Sequence, residues 1–263
     1  MKSEWIVIKE GSVPLRCWWS KPSQGRDEIV EGPNRVALVL PEIFGVNSWV
    51  RSVADRLATR GIPALAMPLF SRTAPELELG YSEDNLIEGR RHKDSTSMEQ
   101  ILTDTYTAIC WLNKQLDQPQ ITVIGFCFGG HAALITATMT EVSETFNFYG
   151  AGVSKTRPGG GAPSLELLPQ VSGRLTCLCG TADPLIPTSD RQAIQAALRM
   201  QDPDEERLRY VEIIGADHGF MCEERESFAS ESFRPRLAPT ARESRTLIIW
   251  QLLASSLRRT NSA

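Results

Sequence analysis

Residues 121–131 read ITVIGFCFGGH, in which a β-branched run passes through Gly-x-Cys-x-Gly-Gly into a helix-compatible segment. This is the pattern of a nucleophile elbow, with a thiol in the place more often taken by a serine. A sharp strand-to-helix turn strains its central residue and leaves little room for neighbouring side chains. Cys127 would then lie at a helix N-terminus, where free amides and the helix dipole favour a thiolate. The alternative is a small buried cysteine in a tight turn, because free cysteines are often buried.

Short apolar runs alternate with amphipathic segments on both sides of this stretch. We predict strands at 36–40, 62–67, 121–124, 146–149, 175–179 and 208–214, and helices at 46–60, 95–116, 127–140, 189–200 and 240–257. Alternating residues near the N-terminus predict an edge hairpin at about 4–19. Strands buried on both faces and separated by helices indicate a mostly parallel sheet covered on both sides.

The chain contains no internal repeat and no linker, so we expect one domain over residues 1–263. Two connections are unusual. Residues 69–94 form a long polar stretch between a strand and a helix, and connections of that length are often functional. Residues 157–163 include three consecutive glycines and predict a mobile surface loop near the site. That loop lacks the lysine and the serine or threonine of a phosphate-binding loop.

Composition excludes several classes of function. The net charge is −4, with 28 basic and 32 acidic residues that are well mixed, so we expect no nucleic-acid partner. No apolar run is long enough to span a membrane, and the N-terminal residues do not resemble a signal peptide. Six scattered cysteines favour reduced thiols and a cytoplasmic location. Cys177 and Cys179 lack a second ligand pair, so we expect no metal and no cofactor.

A nucleophilic thiol needs a histidine to carry protons, and the chain has three histidines. His131 lies four residues after Cys127 on the same predicted helix, where a packing or solvent role is expected. His92 follows two arginines in the polar connection, and we expect it to be solvated. His218 directly follows the last predicted strand. The carboxyl ends of parallel strands are where sites form in such sheets, so His218 is the candidate base.

The histidine in turn needs an acid that orients its ring. Asp217 is adjacent to His218, and neighbouring side chains on an extended segment point apart. Asp183 follows a different strand, 175–179, and reaches the same edge of the sheet. An aspartate before a proline can also be a simple turn-former. The chain order Cys127, Asp183, His218 is that of the α/β-hydrolase fold.

An oxyanion hole would need two backbone amides. One belongs to Phe128, the residue after the candidate nucleophile, and the other to the segment 41–45 after a buried strand. Glu42 in that segment has two interpretations. It could be a surface charge, or it could reach the thiol and set its protonation, since a nearby carboxylate opposes thiolate formation.

Five blocks in order resemble the dienelactone hydrolase family, namely PEIFGVN at 41–47, LFSRTAP at 69–75, GFCFGG at 125–130, GTAD at 180–183 and DHGF at 217–220. The resemblance implies an α/β-hydrolase fold with about seven or eight strands. It also implies a triad of Cys127, Asp183 and His218, with Glu42 holding the resting thiol until a substrate carboxylate displaces it.

The same resemblance implies that the amides of Ile43 and Phe128 form the oxyanion hole. Arg72 matches an arginine that binds the substrate carboxylate, and a guanidinium suits that task. Tyr149 matches an aromatic residue of the pocket wall. The chain departs from the family at Cys222, where dienelactone-active members carry a second carboxylate-binding arginine. Arg225 follows three residues later.

The expected function is that of a carboxymethylenebutenolidase-like hydrolase. It would open a small, carboxylate-bearing ester or lactone through an acyl-enzyme on Cys127, as a monomer or homodimer. Two alternatives remain open. One is a related thioesterase or other carboxylic-ester hydrolase with the same triad, and the other is a non-catalytic scaffold that binds a small ligand.

Overall fold

The computed structural model describes residues 1–23 and 34–225. The predicted helix at 240–257 lies outside these ranges. Eight strands form one sheet in the order β1-β2-β4-β3-β5-β6-β7-β8. The strands are β1 Lys2–Ile8, β2 Leu15–Lys21, β3 Arg35–Leu40, β4 Ala64–Ala66, β5 Gln120–Phe126, β6 Val142–Phe148, β7 Arg174–Gly180 and β8 Leu208–Ile213.

The sheet is parallel from β4 through β3, β5, β6 and β7 to β8. The first two strands are antiparallel, and they form the predicted hairpin at one edge. The parallel strands point the same way, so the residues that follow them meet along one edge of the sheet. The turns after β3, β5, β7 and β8 are therefore brought together.

Within the described ranges, five α-helices connect the strands: α1 Ser48–Thr59, α2 Glu83–Asp94, α3 Met98–Gln115, α4 Phe128–Thr136 and α5 Thr188–Gln201. A 3₁₀ helix covers Ser164–Gln170. The helix α2 corrects the expectation that 69–94 is one long polar connection. Ser82 caps its N-terminus by accepting a hydrogen bond from the amide of Asn85, but few of its residues are apolar. The helix α2 therefore lacks the apolar stripe by which a helix is predicted from sequence.

The two faces of the sheet bury two separate apolar clusters, as the side-chain alternation of β3 shows. Ala37 and Val39 belong to the cluster that includes the buried face of α1. Val36, Leu38 and Leu40 belong to the cluster that includes the buried face of α3. A strand that is apolar on both faces needs a helix on each side. Within the described residues, no helix combines the length and the apolar character that crossing a membrane would require.

Candidate active site

Cys127 occupies the turn between β5 and α4 in a backbone conformation that side chains rarely adopt. Its φ is 55° and its ψ is −119°. The amide of Cys127 donates to the carbonyl of Phe148 on the neighbouring strand, over 3.1 Å, which fixes the turn against the sheet. Backbone strain of this kind is concentrated at functional sites, where the placement of the side chain outweighs the energetic cost of the strain.

The glycines around the turn are there because backbone passes too close for any side chain. A Cβ atom on Gly125 would lie 1.9 Å from the carbonyl oxygen of Gly129. A Cβ atom on Gly129 would lie 2.3 Å from the carbonyl oxygen of Leu40. The Gly-x-Cys-x-Gly spacing is thus the steric condition for α4 to start directly above β3 and β5.

His218 and Asp183 come together from the turns after β8 and β7. The Nδ1 atom of His218 lies 2.8 Å from Oδ2 of Asp183, and both side chains are buried. The other carboxylate oxygen of Asp183 accepts from the amide of Leu185 over 2.8 Å, which fixes the acid. Asp217 instead accepts from the backbone amide of His218. Asp183 rather than Asp217 therefore orients the ring.

The environment of His218 favours its protonated form. Burial by itself would lower the pKa of His218, but the charge on Cys127 and hydrogen bonds with Asp183 and Cys127 outweigh it, so the pKa lies well above its ordinary value. The ring of Tyr149 packs edge-on against His218, with centroids 5.2 Å apart. Tyr149 is fully buried, so it supports the histidine from behind and does not face the cavity.

Glu42 follows β3 and is almost completely buried. Its Oε1 atom accepts a hydrogen bond of 3.0 Å from Nη1 of Arg225, which is largely buried as well. Burial raises the pKa of the Glu42 carboxyl, and the charges of Arg225 and His218 only partly offset that rise. The resemblance implied a contact between Glu42 and the thiol, whereas the structure pairs Glu42 with an arginine.

Aromatic rings hold Arg225 in place. Its guanidinium lies 5.6 Å from the ring centre of Phe44 and 5.9 Å from that of Tyr81. Cys222 takes the position at which the resemblance implied an arginine. Its thiol donates a hydrogen bond of 3.1 Å to the hydroxyl of Tyr81. Arg225 thus brings an arginine to the site from three residues further along the chain.

A cavity of about 720 Å³ opens beside Cys127. Ile43, Phe128 and His218 line it together with the thiol. The amide of Phe128 belongs to the first residue of α4, and the first amides of a helix have no partner within the helix. Both residues expected to supply the oxyanion hole are thus placed around the thiol.

Arg72 lies elsewhere. Its guanidinium forms a two-pronged ion pair with Asp104, at 2.6 and 2.9 Å, and also donates to Ser12. Arg72 is not among the residues that line the cavity. The family resemblance rests on the sequence block around Arg72, and a sequence block does not show which carboxylate an arginine contacts. The structure gives no support to a carboxylate-binding role for Arg72.

The two remaining histidines are buried and hydrogen-bonded, and His131 also lines the cavity. His131 is buried, and its ring bonds the carbonyl of Ala151 and the hydroxyl of Ser164. Burial lowers the pKa of His131 to about 4, so the ring is neutral, in keeping with its expected packing role. The expectation that His92 is solvated was wrong. His92 is buried under α2, where its ring bonds Thr73 and Glu88.

Sequence reasoning missed other cavity residues. Arg90 and Lys93 on α2, and Arg157 in the glycine-containing loop, all line the cavity. The loop at 157–163 was expected near the site, and its first four residues do form part of the wall. Arg90 and Lys93 could not be predicted as cavity residues, because the polar sequence of α2 predicts a connection and not a helix.

The strand order and the sharp turn from β5 into α4 define an α/β-hydrolase. Residues 26–246 match the model of the Dienelactone hydrolase family. The chain belongs to that family and is a hydrolase of the dienelactone hydrolase type.

Curated relatives support the same family, and a solved structure supports the same fold. A "Putative carboxymethylenebutenolidase" of Synechocystis sp. is 35% identical over 234 residues, which cover 88% of this chain and 92% of that protein. A carboxymethylenebutenolidase of Pseudomonas putida is 27% identical over 62% of this chain and 67% of its own length. The crystal structure of a "Putative Dienelactone Hydrolase" from Klebsiella pneumoniae superposes with a TM-score of 0.78 at 20% identity, covering 98% of each chain, and supports the fold.

Proposed function

We propose that this protein opens an ester or lactone bond of a small, carboxylate-bearing molecule through an acyl-enzyme on Cys127. The observation that carries the proposal is the convergence of three strand-end residues. The strained turn presents Cys127 to the cavity, and Asp183 orients His218 over 2.8 Å. Such an arrangement of nucleophile, base and orienting acid is the general design for nucleophilic acyl transfer.

In the first half of the reaction, the sulfur of Cys127 attacks the substrate carbonyl. A C–S bond forms while the carbonyl oxygen takes up the electron pair, and the amides of Ile43 and Phe128 stabilise the resulting oxyanion. Protonated His218 then gives its proton to the departing alkoxide as the C–O bond breaks. The raised pKa of His218 keeps its ring protonated before the attack, and the charge on Cys127 that helps to raise it is lost as the C–S bond forms, which favours release of the proton.

In the second half, water attacks the thioester. His218 takes a proton from the water, and the C–S bond breaks to return the thiolate and release the acid. Asp183 keeps the ring in the required orientation throughout. In a lactone the departing alkoxide stays attached to the acyl group, so one hydroxy acid is released.

The Glu42–Arg225 pair supports an anionic substrate. Arg225 lines the cavity while it is paired with Glu42, so its guanidinium faces the space that an anionic substrate would occupy. All six cysteines are free, which supports the proposed cytoplasmic location. Monomer or homodimer remains a prediction.

Steady-state hydrolysis of p-nitrophenyl acetate tests the nucleophile. We expect Cys127→Ala to lower kcat/KM by about 10³-fold or more. Cys110→Ala is the matched control, because Cys110 lies partly buried on α3, and it should retain wild-type activity. If Cys127→Ala hydrolyses the ester as well as the wild type, the proposed mechanism is wrong and a non-catalytic scaffold becomes the better account. Thioesters of the same acyl group, assayed in parallel, distinguish an esterase from a thioesterase.

A further inference from the structure

The cavity beside Cys127 is lined by a set of basic residues, Arg90, Lys93 and Arg157, which we call the basic wall. Arg90 and Lys93 come from the last two turns of α2, and Arg157 comes from the loop after β6. Asp94 is the acidic residue among the described residues that line this cavity. The wall therefore carries an excess of positive charge that faces the space a substrate would occupy.

Two of these cations lack an acidic partner in the part of the chain that the structure describes. Lys93 pairs with Asp94, and Arg225 pairs with Glu42. No carboxylate pairs with Arg90 or Arg157 within residues 1–23 and 34–225. Arg157 is half-buried, whereas Arg90 is exposed. Because an unpaired charge is costly where water is partly excluded, an anion in the cavity would stabilise Arg157, and the charge of Arg90 would attract the same anion.

The guanidinium of Arg157 is oriented by a backbone carbonyl. One of its terminal nitrogens donates to the carbonyl of Pro163 over 3.1 Å, while its Nε atom is buried without a hydrogen-bond partner. A guanidinium has five donors in a fixed plane. One bond to a backbone carbonyl orients that plane and leaves most of its donors available for a ligand.

The loop that presents Arg157 is bonded to the start of α3, the helix that follows α2 in the chain. The amide of Met98, at the start of α3, donates to the carbonyl of Pro158 over 2.8 Å. The amide of Ser164 donates to the carbonyl of Thr156 over 3.1 Å. The loop that carries Arg157 is thereby anchored at both ends, and α2, which carries Arg90, ends four residues before Met98.

The volume and lining of the cavity suit a ligand larger than a single lactone ring. Cavities of roughly 300–1,000 Å³ hold drug-sized molecules, so 720 Å³ exceeds the need of a single lactone ring. Apolar side chains from Ile43, Phe44, Leu86 and Leu185 line the space alongside the basic wall. This combination suits a hydrocarbon chain that ends in a charge.

We propose that Arg90 and Arg157 bind a terminal carboxylate of the substrate while the scissile carbonyl of the same molecule lies against Cys127. The preferred substrates would then be half-esters of dicarboxylic acids, or lactones with an acidic side chain. This inference rests on the proposed esterase function, and it assigns substrate selection to residues other than Arg72.

The test compares p-nitrophenyl half-esters of adipic and suberic acid with p-nitrophenyl hexanoate and octanoate, which match them in length without the charge. The readout is the ratio of kcat/KM for the acidic ester to that for the neutral ester. We expect a ratio above one in the wild type, which falls about tenfold in Arg90→Gln and in Arg157→Gln. Arg91→Gln is the matched control. Arg91 is exposed, pairs with Glu88 and lies outside the cavity lining, so its ratio should equal that of the wild type.

A ratio that stays the same in an Arg90→Gln/Arg157→Gln double variant would overturn the inference, while continued hydrolysis of the hexanoate would leave the proposed function standing. Calorimetric titration with adipate decides the matter without catalysis. We expect adipate to bind the wild type about tenfold or more tightly than the double variant. Equal affinities would contradict the inference even if no ester were hydrolysed.

Discussion

Glu42 and Arg225 form a buried ion pair, 3.0 Å from Oε1 to Nη1, across a separation of 183 positions. The charge of His218 acts on Glu42, and Arg225 lines the cavity. Breaking a buried pair by removing one partner strands a charge and is strongly destabilising. The stability of the site therefore depends on whether the carboxyl group of Glu42 is protonated.

Glu42→Gln should change how stability depends on pH. Burial raises the pKa of Glu42 above its ordinary 4.5, so the folded protein holds this proton more tightly than the unfolded chain. The contribution of Glu42 to stability is therefore greatest below pH 4.5 and declines as pH rises from there towards the folded pKa. Urea unfolding from pH 4 to 8 should show the wild type losing stability relative to Glu42→Gln as pH rises.

Glu78→Gln provides a control of opposite sign. Burial alone would raise the pKa of Glu78, but hydrogen bonds and charges from Arg16 and Arg51 lower it. The stability contribution of Glu78 is present above pH 4.5 and is lost as pH falls. The free energy of unfolding of the wild type should therefore rise relative to that of Glu78→Gln as pH increases. Parallel trends for the two variants would show that Glu42 ionises like a surface carboxyl.

Asp183→Asn should lower kcat by about 10³- to 10⁴-fold with little change in KM, because an amide can hold the wrong tautomer of His218. The same substitution removes a hydrogen bond and a charge that raise the pKa of His218. A downward shift of the His218 imidazole titration, followed by NMR, would identify orientation and charge as the cause. Asp217→Asn is the control, since Asp217 accepts only from the backbone amide, and an equal loss there would contradict the assignment.

Gly129→Ala should abolish the elbow. The new Cβ would lie 2.3 Å from the carbonyl oxygen of Leu40 and 2.4 Å from that of Pro41, and backbone cannot move aside cheaply. We expect a loss of about 4 kcal/mol or more in the free energy of unfolding. Gly161→Ala meets nothing within 4 Å and has a φ of +93°, so only backbone strain of about 1–2 kcal/mol is expected. Similar losses for both variants would show that contact with Leu40 and Pro41 is not the constraint.

Arg72→Ala should affect stability rather than substrate choice. The change leaves the buried carboxylate of Asp104 without its partner, at a cost of about 1–3 kcal/mol. Denaturant unfolding would measure this loss, and Arg91→Ala, at an exposed pair, should change stability little. The preference for acidic over neutral esters should persist in Arg72→Ala. A selective loss of activity on the acidic esters would restore the role that the family resemblance implied for Arg72.

The convergence of Glu42, Cys127 and Asp183 at one edge of the sheet could be predicted from the sequence because each of them follows a strongly patterned strand. The apolar runs before Glu42, Cys127 and Asp183 lie within β3, β5 and β7, whose carboxyl ends must meet in a parallel sheet. Topology alone therefore places these residues together. No side-chain detail is needed for that step.

The partners of long side chains could not be predicted. Arg72 and Asp104 lie 32 positions apart, and Glu42 and Arg225 lie 183 apart, so which charge reaches which depends on packing. The helix that carries Arg90 was missed because it is charged along most of its length. Patterning predicts elements with an apolar face, and α2 has almost none.

The most direct test of the account is the site at which an acyl group is retained during turnover. The enzyme would be mixed with p-nitrophenyl hexanoate, quenched in acid during the burst of p-nitrophenol, and digested for peptide mass spectrometry. The account predicts one hexanoyl group per chain, on the peptide that contains Cys127, and none in Cys127→Ala. A hexanoyl group on any other residue, or a burst without acylation of Cys127, would contradict it.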